Sequence, residues 1–153
     1  RFDYAIQKAT ELGVSEITPL FSERCELKLR GEERADKKLE HWRRIAVAAC
    51  EQSGRNRLPV IHPPLDIGEW QQRIDATLKL VLAPAVKGAL PAEGSPGKVA
   101  LLIGPEGGLS EREIALACQH GFHPWQIGPR VLRTETAPVA ALAILQSRFG
   151  DLG

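Results

Sequence analysis

Methionine is absent from all 153 residues, and the chain opens on Arg1. A translated chain starts with Met, so the sequence predicts a piece of a longer protein. Residues 1–153 would form one domain of it, near the ~100–150-residue mode for such units. Cysteine is scarce: Cys25, Cys50 and Cys118 are odd in number, far apart and without a CxxC pair. That argues against a disulfide framework and a structural zinc site, and fits a reducing cytoplasm. No run approaches the ~20 apolar residues of a membrane span, and no signal-peptide pattern is present. An excess of one charge is missing too, because 20 Lys and Arg face 19 Asp and Glu for a net charge of +1. A generic nucleic-acid binder would be strongly basic.

The charge is uneven, however. Between Arg24 and Arg57 stand ten basic residues (Arg24, Lys28, Arg30, Arg34, Lys37, Lys38, Arg43, Arg44, Arg55 and Arg57) against six acids. A solvated helix face and an RNA-contacting surface both account for such a patch.

Apolar spacing predicts a helix over Phe2 to Leu12, with Phe2, Ile6, Ala9 and Leu12 on one face and Gly13 closing it. Glu16 to Phe21 reads as a short strand, with Pro19 marking an edge or an end. Ser22 to Ala35 is polar and reads as a loop. Asp36 to Gln52 is a long amphipathic helix lined by Leu39, Trp42, Ile45, Ala46, Ala49 and Cys50, ending near Ser53-Gly54. Pro59 to His62 is a strand candidate, followed by a Pro63-Pro64 break. A short helix over Asp66 to Arg73 has Asp66 as its N-cap.

Leu78 to Ala83 and Lys98 to Ile103 are strands of the buried type, separated by a long Pro- and Gly-containing loop. Ser110 and Glu113 form a capping box. Their helix runs to about His120, a C-terminal cation, and Gly121 closes it. His123 reads as a loop residue, Pro124 to Ile127 as a strand, and Thr136 to Phe149 as a nearly all-apolar helix. Alternating strands and helices imply an α/β fold with a mostly parallel sheet and helices on both faces.

Two loops stand out, because ligands of open α/β sheets bind outside the carboxyl ends of strands. Gly104-Pro105-Glu106-Gly107-Gly108 lacks the Gly-Lys-Ser/Thr of a phosphate loop and the spacing of a dinucleotide fingerprint. It offers backbone that a ligand can approach closely, although a plain tight turn reads the same way. The second loop runs from Gly128 to Thr136 and places Arg130, Arg133 and Glu135 just before an apolar helix. Charged groups beside a buried segment need partners or a function. A structural Arg–Glu pair with Thr136 as N-cap is the plain alternative. The four histidines carry no metal-ligand spacing, since Gly121 breaks the helix between His120 and His123.

Four segments resemble the RsmE-type methyltransferases of the SPOUT superfamily, which act on N3 of a uridine in small-subunit (16S) ribosomal RNA. They are Gln7–Val14 (QKATELGV), Glu51–Arg55 (EQSGR), Leu101–Ile114 (LLIGPEGGLSEREI) and Ile127–Ala137 (IGPRVLRTETA). They span most of the chain in the family's order. The resemblance implies a SPOUT fold, a parallel sheet flanked by helices whose C-terminal part forms a trefoil knot, with S-adenosylmethionine bound in the knot loops. It further implies a homodimer, a cytoplasmic role in ribosomal RNA processing, and no membrane or metal. Family members carry an N-terminal PUA-like RNA-binding domain, and this chain starts where that domain would end. Pro138 departs from the small helix former expected there, but a helix's first turn tolerates proline.

Carried over residue by residue, the resemblance assigns the cofactor to Leu82 and Ala83 (with Pro84 in the same loop), to Gly104, Pro105, Glu106 and Gly107, and to Ile127, Gly128, Val131 and Leu132. Thr136 and Ala137 complete that set. Arg133 is the candidate for stabilising a uridine anion, with Glu135 orienting it or taking the proton. Lys8, Arg24, Gln52 and Arg55 are the expected RNA-side residues, and Glu11 is expected to anchor a loop. Two other functions stay open: a non-catalytic RNA-binding module of the same fold, and a nucleotide-binding α/β domain unrelated to methylation.

Overall fold

The structure, a computed structural model, describes residues 2–25, 31–91 and 94–153. Lys28 and Arg30 of the basic stretch, and part of the loop expected over Ser22 to Ala35, lie outside the described residues. In chain order the elements are α1 (Phe2–Glu11), β1 (Glu16–Ile17), β2 (Leu20–Phe21), α2 (Glu32–Ser53), β3 (Val60–Ile61), β4 (Leu65–Asp66), α3 (Ile67–Arg73), β5 (Leu78–Leu82), β6 (Val99–Leu102), α4 (Glu111–Gln119), β7 (His123–Trp125) and α5 (Thr136–Phe149). They fall into two compact units. The first comprises Arg1–Leu20, Leu27–Leu65 and Glu135–Gly153; the second comprises Phe21–Glu26 and Asp66–Thr134.

In the first unit the apolar stripes of α1 and α2 close on each other. Ile6, Leu39, Trp42, Ala46 and Ile61 form its core, with Phe2, Ile17 and Ile45 packed against it. The Phe2 and Trp42 rings meet edge-on with centroids 4.9 Å apart, a geometry that aromatic quadrupoles favour. Helix α2 begins at Glu32, four residues before the expected Asp36. Those added residues have no apolar spacing, but Glu32 and Glu33 place negative charge on the first turn, which the helix dipole favours. Its C-cap, Gly54, is left-handed with φ 79°. Helix α5 packs on α1, and the Gln146 side chain donates to the Leu12 carbonyl at 2.8 Å.

The single strand expected over Glu16 to Phe21 is two strands. Pro19 has no N–H to donate and lies between them, and the halves take different partners. Strand β1 pairs in parallel with β3, Glu16 opposite Val60, while β2 pairs with β4. Strand β4 was not expected. Two residues after Pro63-Pro64 are too few to show an alternating pattern.

The second unit is built on a parallel three-stranded sheet in the order β6-β5-β7. Leu78 to Val81 pair with Val99 to Leu102, and Leu80 to Leu82 pair with His123 to Trp125. Central β5 carries the fully buried Leu80 and Val81. Pro124 is tolerated because β7 is an edge of this sheet. His123 is therefore a strand residue opposite Leu80, not a loop residue. Helix α4 packs on β7 and on α3, where the Trp70 and Phe122 rings lie 5.6 Å apart. The expected caps are in place: the Asp66 carboxylate accepts from Gly68 N at 2.8 Å, and Ser110 and Glu113 form the reciprocal box. Lys79 brings its ammonium 3.2 Å from the His120 carbonyl at the end of α4. A cation there is favoured by the dipole, and Lys79 brings one from the sheet.

Candidate functional site

Parallel pairing brings the carboxyl ends of β5, β6 and β7 to one edge of their sheet. The loops that leave this edge contain Leu82-Ala83-Pro84, Gly104 to Gly108 and Ile127 to Leu132. Three segments that are remote in sequence, all assigned from the resemblance, thus share one rim of the second unit.

The first and third loops are stitched together. Ala83 N donates to Trp125 O at 3.2 Å, and Gln126 N donates to Gly88 O at 2.9 Å. The Gln126 side chain donates to Pro84 O at 2.8 Å. Gly88 lies so close to β7 that a Cβ there would come within 2.0 Å of the Pro124 carbonyl oxygen. Neither Gln126 nor Gly88 stood out in the sequence. A Gln among apolar residues and a Gly in a Gly-containing loop carry no local signal. Val131, in the third loop, is 80% exposed, so an apolar side chain is presented at this rim.

The middle loop is held from another direction. Gly108, with φ 78°, donates its N–H to Pro105 O at 2.8 Å and closes a tight turn. The Arg24 side chain lies along Gly107: a Cβ on Gly107 would be 3.2 Å from the Arg24 Cβ, and Arg24 Nη1 donates to Gly107 O at 3.0 Å. The neighbouring Glu23 N–H donates to Glu113 Oε2 at 3.1 Å. The other oxygen of that buried carboxylate accepts from Ser110 N at 2.9 Å. Arg112 closes the group by donating to the Glu23 carboxylate, Nε at 2.9 Å. The hydrogen bond from Arg112, reinforced by one from Ser110, holds the Glu23 carboxyl below its ordinary range. The same contact holds the Arg112 guanidinium above its own.

Arg130 and Arg133 are exposed at the end of the second unit. Glu135, Thr136 and Ala137 belong to the first unit. Thr136 is not the N-cap of α5; Glu135 is, without a side-chain capping bond. One Glu135 oxygen, Oε2, is buried with no hydrogen-bond partner among the described residues. A buried carboxylate oxygen without a donor is costly. Ala137 is buried in the first turn of α5.

Of the expected RNA-side residues, Lys8, Gln52 and Arg55 lie in the first unit and Arg24 in the second. Arg55 Nη1 donates to Thr10 O at 2.7 Å and Val14 O at 3.1 Å, which caps the carbonyl end of α1. Lys8 pairs with Glu11 at 3.1 Å. Glu11 thus has a partner on its own helix. Gln52 is exposed on the last turn of α2.

A family model described as an RNA methyltransferase domain matches residues 1–146. The chain is 44% identical, over 156 aligned residues, to the ribosomal RNA small subunit methyltransferase E of Buchnera aphidicola from Schizaphis graminum. That alignment covers 99% of this chain and 62% of the relative, so the chain spans under two thirds of its length. A putative methyltransferase of Legionella pneumophila, solved with the cofactor S-adenosylmethionine, shares 45% identity at a TM-score of 0.94. The ribosomal RNA small subunit methyltransferase E of Neisseria gonorrhoeae, bound to S-adenosylmethionine, shares 39% identity at 0.91. Each covers 99% of this chain, which spans 62% of theirs. With its three-loop rim on a parallel sheet and a match along nearly its whole length, the chain belongs to the RNA methyltransferase domain family.

Proposed function

We propose that this chain is the catalytic domain of an S-adenosylmethionine-dependent methyltransferase acting on N3 of a uridine in small-subunit (16S) ribosomal RNA. The observation that carries the reading is the rim of the second unit, where three backbone-rich loops leave adjacent parallel strands. Such loops can read the edges of an adenine through N–H and C=O groups without charged side chains. Their fit to S-adenosylmethionine is supported by the exposed Val131. The relatives solved with that cofactor share this chain's fold.

When bound, the cofactor supplies an electrophilic methyl group on a sulfonium. Leu82, Ala83, Gly104 to Gly107, Ile127, Gly128, Val131 and Leu132 of the second unit would hold it; Thr136 and Ala137, which the resemblance adds, belong to the first unit. Uracil N3 carries a weakly acidic proton, which must leave before the nitrogen can bond to carbon. Arg133 stabilises the resulting anion. Glu135 orients that guanidinium or accepts the proton; its Oε2 is buried without a hydrogen-bond partner among the described residues. The products are the N3-methylated uridine and S-adenosylhomocysteine. Lys8, Gln52 and Arg55, with Arg24, grip the RNA. The same reading carries the trefoil knot, a homodimer and a cytoplasmic place beside the ribosome. The half-buried apolar residues of α5, Val139, Leu142 and Ile144 among them, support the dimer.

The test is methyl transfer from labelled S-adenosylmethionine to small ribosomal subunits lacking the modification, followed by nucleoside analysis of the RNA. N3-methyluridine as product, lost in an Arg133→Ala variant, is the expected result. Unchanged turnover in that variant removes Arg133 from the mechanism, and a different methylated nucleoside overturns the N3 assignment. Cofactor binding with no transfer would instead favour a non-catalytic module.

A further inference from the structure

We propose that Ser22 to Cys25 form a positioning strap for the Gly104–Gly108 loop, and that Arg24 is the residue through which the strap sets the loop's cofactor-binding shape. The proposal rests on the cofactor reading above and adds to it a role within the protein for a residue expected to contact only RNA.

The loop needs an external hold. Three of its five residues are glycine, so sterics alone leave its backbone many conformations. Its turn is closed by one backbone bond, Gly108 N to Pro105 O at 2.8 Å. The peptide plane that supplies this N–H also carries the Gly107 carbonyl, which Arg24 Nη1 engages at 3.0 Å. A peptide unit is rigid and planar, so holding its oxygen and its hydrogen at once fixes its orientation. The aliphatic part of Arg24 occupies the place where a side chain on Gly107 would stand, with its Cβ 3.2 Å from that position. Charge and stem thus act on the same glycine.

Arg24 is itself held on both sides. Before it, Glu23 donates its N–H to the buried Glu113 carboxylate, and the Glu23 side chain accepts from Arg112. After it, Cys25 N donates to Ser22 O at 3.2 Å and closes a turn. Glu113 also accepts from Ser110 N, in the box that starts α4. One carboxylate therefore ties the strap to the helix that the loop leads into. A guanidinium has five donors, so contact with Gly107 O is compatible with a phosphate contact from the same side chain.

The experiment is calorimetric titration of the chain with S-adenosylhomocysteine, without RNA, alongside thermal melts. The variants are Arg24→Ala, Arg24→Met, Arg24→Lys and a control, Arg73→Ala, which removes an exposed ion pair with Glu69 on α3. Arg24→Ala should weaken binding by about tenfold, the scale of one charge-assisted hydrogen bond with its packing. Arg24→Met, which keeps the stem, should lose less, and Arg24→Lys, which keeps a cationic donor group, less still. The control should bind as the unaltered chain does, and the melting temperature of Arg24→Met should stay close to it. If Arg24→Ala fails to fold, Arg24→Met decides. Unaltered affinity in the Arg24 variants, with the parent chain binding normally, overturns the strap and leaves the cofactor reading intact. No binding by the folded parent chain overturns both.

Discussion

Glu113 shows how much one side chain can organise. Only 5% exposed, it accepts backbone N–H groups from Ser110 and from Glu23, 90 positions away. Replacing it with alanine leaves two donors without their partner, and each such loss costs about 1–3 kcal/mol when the group stays dry. Glu113→Ala should therefore lower the denaturation midpoint markedly. Ser110→Ala, which removes one cap, should cost only about 1 kcal/mol. Equal midpoints for the two variants in urea melts would contradict that ranking. Glu23 adds a pH dependence. Its carboxyl is held below the ordinary range, first by the Arg112 hydrogen bond and then by Ser110. A lowered folded-state value means the contact stabilises the protein above the ordinary Glu range and is lost as pH falls through the lowered value. The pair is exposed, so the effect is small. The difference in melting temperature between the parent chain and Arg112→Gln should be present at neutral pH and close in acid, once pH has fallen below the ordinary Glu range.

Among the elements, α2 carries the heaviest anchor. Trp42 is 1% exposed and packs on Phe2, Ile6 and Ile61 in the first unit. Trp42→Ala should destabilise that unit by about 3–5 kcal/mol. Denaturant melts read by circular dichroism would measure the loss, and a change under ~1 kcal/mol would mean that the site collapses around the smaller side chain. Elements with a strong local signal were legible in the sequence. The bounds of α5 match those read from its apolar run, and the caps at Asp66 and Ser110 were visible because their partners lie two and three residues away. Two-residue strands were not legible. β4 has no room for alternation, and the break between β1 and β2 follows from Pro19 and from partners far along the chain. His123 carries no local strand signal for a similar reason: its strand character comes from pairing with Leu80, not from its neighbours.

At the scale of the whole molecule, the proposed homodimer is tested at α5. Its buried residues, Ala137, Pro138, Ala141 and Leu145, mark one side, while Val139, Leu142 and Ile144 remain half-buried. If these residues meet a second copy, Leu142→Glu should turn a dimer into a monomer in sedimentation equilibrium, with helix content retained. A parent chain that is already monomeric at the same concentration would remove the homodimer from the proposal.

The sequence by itself determined the local grammar of this protein. It marked the caps at Asp66 and Ser110, the bounds of α5, which strands are buried, and that the Gly104–Gly108 loop and the one entered at Gly128 are unusual. These signals reside within a few residues, where periodicity and capping act. Only the tertiary structure decided that the three loops share one rim, that Gln126 joins two of them, and that Arg24 rests on Gly107, 83 positions away. Nothing in the residues between two such partners encodes their meeting, because it follows from how parallel strands align and how a buried carboxylate finds its donors.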